Sequence, residues 1–171
     1  MPPASVIQEV WVTIKEFPDY SVSNLGRVHN DRLNRYLTPS QNNYGHLRVA
    51  FTPMRITRSV ALLVAENFVE PPDNISDSVI VLDGDLTNVA FFNLAWRPRW
   101  YAYQYAQQLR RPIRLHFKNL HVRNDDTKVV YESILAAAKA EGLLLDDIWD
   151  SVNTGRRIYP YHHKFKIWER V

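Results

Sequence analysis

The sequence predicts an α+β fold of small antiparallel sheets, a central strand, turn and helix unit, and a C-terminal helix-turn-helix-like module. Three observations carry that expectation. Short stretches with period-two alternation recur between turn residues. The apolar segment 59–68 has helical length and contains neither Gly nor Pro. An alanine-rich segment stops at Gly142 and a second amphipathic stretch follows it at once. A chain of 171 residues with 46% hydrophobic composition can bury an ordinary core.

The first module, residues 1–52, opens with Val10-Trp11-Val12-Thr13-Ile14, which alternates as a short strand. Phe17-Pro18-Asp19-Tyr20 reads as a turn. The next string, Tyr20-Ser21-Val22-Ser23-Asn24-Leu25-Gly26-Arg27-Val28, places Asn24 and Gly26 at turn positions, with Trp11, Tyr20, Val22 and Val28 expected on one packed face. Tyr44 to Phe51 reads as a further strand. Arg27, His29 and Arg32 are this module's candidate phosphate contacts, and a solvated face accounts for them equally well.

The second module, 53–97, begins with the helix, for which Ser59 is the expected cap. Pro71-Pro72-Asp73-Asn74 ends it in a loop. Ser78-Val79-Ile80-Val81-Leu82 is a strongly apolar strand, Asp83-Gly84-Asp85 a turn, and Thr87 to Trp96 the expected loop and helix. Residues 98–112 then read as a basic, tyrosine-rich helix bounded by Pro98 and Pro112. In the last module, 113–171, the reading is strand from Ile113 to Val122, turn at Asn124-Asp125-Asp126, strand at 128–131, helix from Ser133, helix from Leu145 to Asn153, then the closing segment 161–168.

These stretches resemble, in order, the HNH homing endonucleases of phage introns. The Trp…Tyr-x-Val-Ser-Asn-x-Gly-x-Val string resembles the signature that precedes their nuclease domain. Val60, Leu63, Val64, Ala65 and Phe68 match their helix motif, but Ala61 and Leu62 stand where it has His and Arg. Residues 79–96 resemble the frame of their ββα-metal site, and the paired helices followed by Gly155-Arg156-Arg157 resemble their C-terminal helix-turn-helix.

That resemblance implies a general base and a divalent cation, because phosphodiester hydrolysis needs an activated water and a stabilised leaving oxygen. It maps the metal-binding Asp to Ile80, the His base to Val81 and the metal-binding Asn to Asn93. The centre is therefore expected to be a degenerate HNH unit with no catalytic residue, no metal and no cofactor. Asp83 and Asp85 fall in the turn, and turn chemistry accounts for both. The six histidines, His29, His46, His116, His121, His162 and His163, lie outside the frame.

Charge is unevenly distributed. Residues 97–123 hold seven Lys/Arg and no acid, 124–150 are net −5, and 151–171 are net +4. Phosphate binding depends on such clusters rather than on the average. The candidate nucleic-acid contacts are Arg97, Arg99, Arg110, Arg111, Arg114, Lys118, Arg156, Arg157, Lys164 and Lys166, with Trp100, Tyr101, Tyr103 and Tyr105 interleaved.

Two functions stand open at this point. One is a phage-derived protein that binds double-stranded DNA without cutting it. The other is a structural or interaction protein of a phage particle or other protein assembly, with residual metal-dependent nicking as a third reading. Asp146, Asp147 and Asp150 on the second helix weigh against phosphate contact there. The chain has no cysteine, which excludes a disulfide framework or a thiolate metal site. No apolar stretch reaches the roughly 20 residues that span a bilayer, and Met1 to Val6 lacks a signal-like build. The expected location is the bacterial cytoplasm or the virion.

Overall fold

The computed structural model describes residues 7–52, 55–71 and 73–168, except for the side chain of His116. The N-terminal hexapeptide, Pro72 of the expected loop and the last three residues lie outside the described residues. The chain divides into two compact units. One comprises Met1–Glu70 with Leu86–Leu94, the other Pro71–Asp85 with Ala95–Val171.

In the first unit, β1 (Trp11–Ile14), β2 (Phe17–Ser23), β3 (Val28–Asn30) and β4 (Arg35–Tyr36) form an antiparallel meander in chain order. Phe17 to Tyr20 is thus strand rather than the expected turn, and the reversal falls at Lys15-Glu16. Pro18 is tolerated because β3 pairs with β2 only from Tyr20 onward, so its missing N–H removes no bond from that ladder. Alternation places Ile14, Phe17, Tyr20, Val22 and Val28 in the core. Trp11 does not join them. It pairs with Ser23, and its ring lies 6.2 Å from that of His29 and 5.9 Å from that of Tyr36 on the opposite face.

A second sheet of this unit, β5 (Ser40–Gln41), β6 (Leu47–Phe51) and β7 (Ile56–Ser59), leads directly into α1 (Val60–Phe68). Ser59 occupies the N-cap position without a capping side-chain bond. Val60, Leu63, Val64 and Ala65 are fully buried. Phe51 stacks on Phe17 at 4.1 Å and takes the edge of Tyr20 at 4.8 Å. Tyr20 Oη donates to the Thr52 carbonyl at 2.7 Å. Residues 86–94 complete the unit: the Phe91 N–H donates to the Asn24 carbonyl at 2.8 Å, and Val89 packs so closely on Gly26 that a Cβ there would lie 2.3 Å from its Cγ2. Gly26 also has φ +91°, so its place in the motif is dictated by backbone and by space.

The second unit contains β8 (Ser78–Val81) paired with β9 (Leu94–Arg97), then α2 (Arg99–Arg110) and the short α3 (Leu115–Asn119). β10 (Val122–Asn124), β11 (Val130–Tyr131), α4 (Ile134–Glu141), α5 (Leu145–Thr154) and β12 (Phe165–Ile167) follow, with antiparallel sheet order β11-β10-β12. Two expectations are corrected. Thr87 to Trp96 forms no α-helix but a single 3₁₀ turn, Phe91–Asn93, and β9. Of Ile113 to Val122, expected as strand, Leu115–Asn119 is α3 and only Val122 is strand, with Ile113, Phe117 and Leu120 spaced to face one core.

α4 and α5 form the helix-turn-helix-like pair. Ser133 caps α4, its Oγ accepting the Ala136 N–H at 3.0 Å. Gly142 ends it in the left-handed conformation, φ 63°. Ile134, Ala137, Ala138, Leu143, Leu145 and Ile148 then share a core with Val122 and Phe165 of the sheet.

Candidate functional site

The ββα arrangement of the second unit is β8, β9 and α2, so the basic tyrosine-rich segment supplies its helix. Pro98 has a fixed φ suited to starting that helix, and Pro112 prevents its continuation. Tyr101 and Tyr105 are buried against Ile80 and Ala95, with Leu82 and Leu109 alongside. Burial holds both phenols well above their ordinary pKa. They therefore stay neutral and serve as anchors: Tyr105 Oη donates to the Leu82 carbonyl at 2.7 Å, and Tyr101 Oη accepts the Leu144 N–H at 3.0 Å. The turn between the strands is held by Asp83, whose Oδ1 accepts the Asp85 N–H at 2.8 Å, and by Gly84 at φ +84°.

Ile80 is 4% and Val81 7% exposed. Both are hydrocarbon, so neither position can accept a proton or coordinate a hard cation, which takes oxygen ligands. Asn93 is buried in the first unit and its amide donates to the Asn88 carbonyl at 2.7 Å. The residues at the implied positions do not fit a divalent metal. Ala61 is buried and Leu62 half-buried, so the helix positions that the resemblance assigns to His and Arg are apolar packing too.

The cations fall into three groups. Arg97 is fully buried, and this overturns its candidacy as a DNA contact. Its Nε donates to the Gly142 carbonyl at 3.1 Å, Nη2 to the Glu141 carbonyl at 2.8 Å and Nη1 to the Trp96 carbonyl at 2.7 Å. The guanidinium also lies 5.8 Å and 5.2 Å from the ring centroids of Tyr101 and Tyr161. It satisfies the carbonyl end of α4, where a positive charge is favoured.

A second group is tied to the Asp125-Asp126 turn. Lys166 pairs with Asp125 at 2.7 Å, as does Arg123 at 2.8 Å, and Arg157 pairs with Asp126 at 3.0 Å. Lys164 is half-buried and its backbone N–H donates to Asp126 Oδ2 at 2.9 Å. The third group is exposed: Arg99, Arg110 and Arg111 on or just after α2, Arg114 and Lys118 around α3, and Arg156 after α5. Arg99 is only loosely placed against Asp77, at 4.0 Å.

Sequence reasoning missed a polar cluster at the end of α4. Glu141 Oε1 accepts from Tyr131 Oη at 2.7 Å and from Asn124 Nδ2 at 2.9 Å, while its Oε2 lies 2.8 Å from His163 Nδ1. His163 thus turns inward while His162 is exposed, so the adjacent histidines do not act together. The available signal was Glu141 itself, a carboxylate at a helix C-terminus, where it is disfavoured unless held. Among the described residues no group of three His, Asp or Glu is placed to hold a metal ion, and no helix is long and apolar enough to cross a membrane.

Residues 9–52 match the NUMOD4 motif. No curated protein sequence matches the chain. A solved structure described as "DNA binding and cleavage by the HNH homing endonuclease I-HmuI" superposes with TM-score 0.51 at 22% identity, over 95% of this chain and 99% of that one. The fold is that of an HNH homing endonuclease. At this identity the likeness is one of architecture.

Proposed function

We propose that this HNH-endonuclease-like chain is a DNA-binding protein, phage-derived and acting in the bacterial cytoplasm, whose ββα unit does not cleave. The observation that carries the reading is the burial of Ile80 and Val81 as hydrocarbon core at the positions of the metal ligand and base. Losing a general base alone costs about 10²- to 10⁴-fold in rate. The exposed cations Arg99, Arg110, Arg111, Arg114, Lys118 and Arg156 supply phosphate contacts, and the I-HmuI structure is that of a protein that binds DNA.

Two measurements test this. Incubated with plasmid and magnesium or manganese, the protein should leave supercoiled DNA intact, whereas nicking abolished by Asp83→Ala would restore the nuclease reading. A labelled duplex should bind with an affinity that falls steeply with salt. Absence of binding at low salt would remove the DNA reading. In its place would stand a structural or protein-interaction role in a particle, favoured by the exposed Asp146 and Asp150 on α5, which suit a basic protein surface.

A further inference from the structure

α2 has two faces of different chemistry. Tyr101 and Tyr105 point into the core, while Arg99, Trp100, Tyr103, Gln104, Ala106 and Arg110 are exposed. Trp100 is 57% and Tyr103 68% exposed, a large aromatic area to leave in water. Three residues apart on a helix, they are surface neighbours. The Trp100 ring is braced along one side by Tyr101, 5.4 Å away, and Tyr159, 6.5 Å away. Arg99 precedes the pair, and Arg110 and Arg111 lie about 16 Å further along the axis. α2 contains no acid.

Charge complementarity selects a polyanion for this face, and the exposed rings select the kind. In a duplex each base face is covered by its stacked neighbours, so an aromatic side chain finds an open base face chiefly where pairing is absent. Single-stranded nucleic acid is bound by this combination, with cations tracking phosphates and aromatic rings stacking on bases. We propose that the exposed face of α2 binds unpaired nucleotides of single-stranded DNA, with Trp100 and Tyr103 stacking on bases and Arg99, Arg110 and Arg111 meeting phosphates. The inference rests on the DNA-binding reading and narrows it to strands that are open or frayed.

The test titrates the full-length protein into a labelled oligothymidine strand and, separately, into a blunt mixed-sequence duplex at the same low salt, following anisotropy and tryptophan emission. The strand should bind more tightly than the duplex and quench emission. The double variant Trp100→Ala, Tyr103→Ala should lose at least about tenfold in strand affinity with duplex affinity within about twofold. Trp100→Phe should keep most of the strand affinity while losing much of the quenching. Both side chains are largely exposed, so the variants should keep the native circular dichroism. Tighter binding to duplex, or equal losses on strand and duplex, would overturn the stacking role and leave general DNA binding standing. Failure of both nucleic acids to bind would overturn both readings.

Discussion

A guanidinium with no solvent exposure needs an acceptor for its donors, and Arg97 finds them in three backbone carbonyls, two of which close α4. Truncating it leaves buried carbonyls unpaired and a void between Tyr101 and Tyr161. Arg97→Ala should therefore destabilise the protein by about 3 kcal/mol or more, seen as a lower urea midpoint. Arg110→Ala should leave the midpoint unchanged and reduce the slope of log affinity against log salt by about 1. At this scale the sequence was half legible. Ile80 and Val81 could be recognised because an apolar side chain in a strand has little to do but pack. Arg97 could not, because nothing in an acid-free basic run distinguishes the one member that the fold buries.

Gly142 shows why the helix pair needs its residue types. At φ +63° it already favours glycine, and a Cβ there would lie 2.8 Å from Leu82 Cδ2, 2.9 Å from Arg97 Nη2 and 3.0 Å from Ile80 Cδ1. Gly142→Ala should cost more than the roughly 1 kcal/mol of left-handed strain alone, with a correspondingly lowered melting temperature. Substituting Ala at Gly155, where a Cβ would meet only the flexible end of Lys164, should cost less. The alanine-rich run and the glycines at 142 and 155 made α4 and α5 readable from sequence. The ββα helix was misplaced because Leu94 to Arg97 is apolar enough for either state, and pairing with β8 decides it. Ile113 to Val122 was misread since its spacing at 113, 117 and 120 becomes visible only once the core it faces is known.

Several carboxyls give the molecule an acid-sensitive stability. Asp125 is held down at about 2 by Lys166 and then Arg123. Glu9 is lowered by Arg27, Asp31 by Ser21 and His29, and Asp126 by the Lys164 N–H and Arg157. Each has a folded pKa below its unfolded one, so its contribution is complete above the usual carboxylate range of about 4 and is lost as pH falls toward the folded value. Glu66 and Asp147, raised by burial, act in the opposite sense and offset part of the loss. The melting temperature should thus hold between neutrality and about pH 5 and drop below about pH 4. Asp125→Asn should lie below the native protein at pH 7 and converge with it between pH 4 and 2. A gap that persists at pH 2 would show the substitution acting through packing.

The excursion of Leu86–Leu94 into the first unit bears on how such a chain can be assembled from parts. A gene fragment ending after Glu70 would encode the sheets and α1 but leave out Val89, which fills the space over Gly26, and Phe91, which bonds to Asn24. Joining this N-terminal unit to another C-terminal one by a single crossover at that point would therefore strand both pieces. The exchange needs three breakpoints, after residues 70, 85 and 94, or a single crossover beyond residue 94 that carries β8 and its turn along as cargo. The strand Ser78–Val81, with Ile80 and Val81 buried, would then travel with the N-terminal unit, whatever follows it.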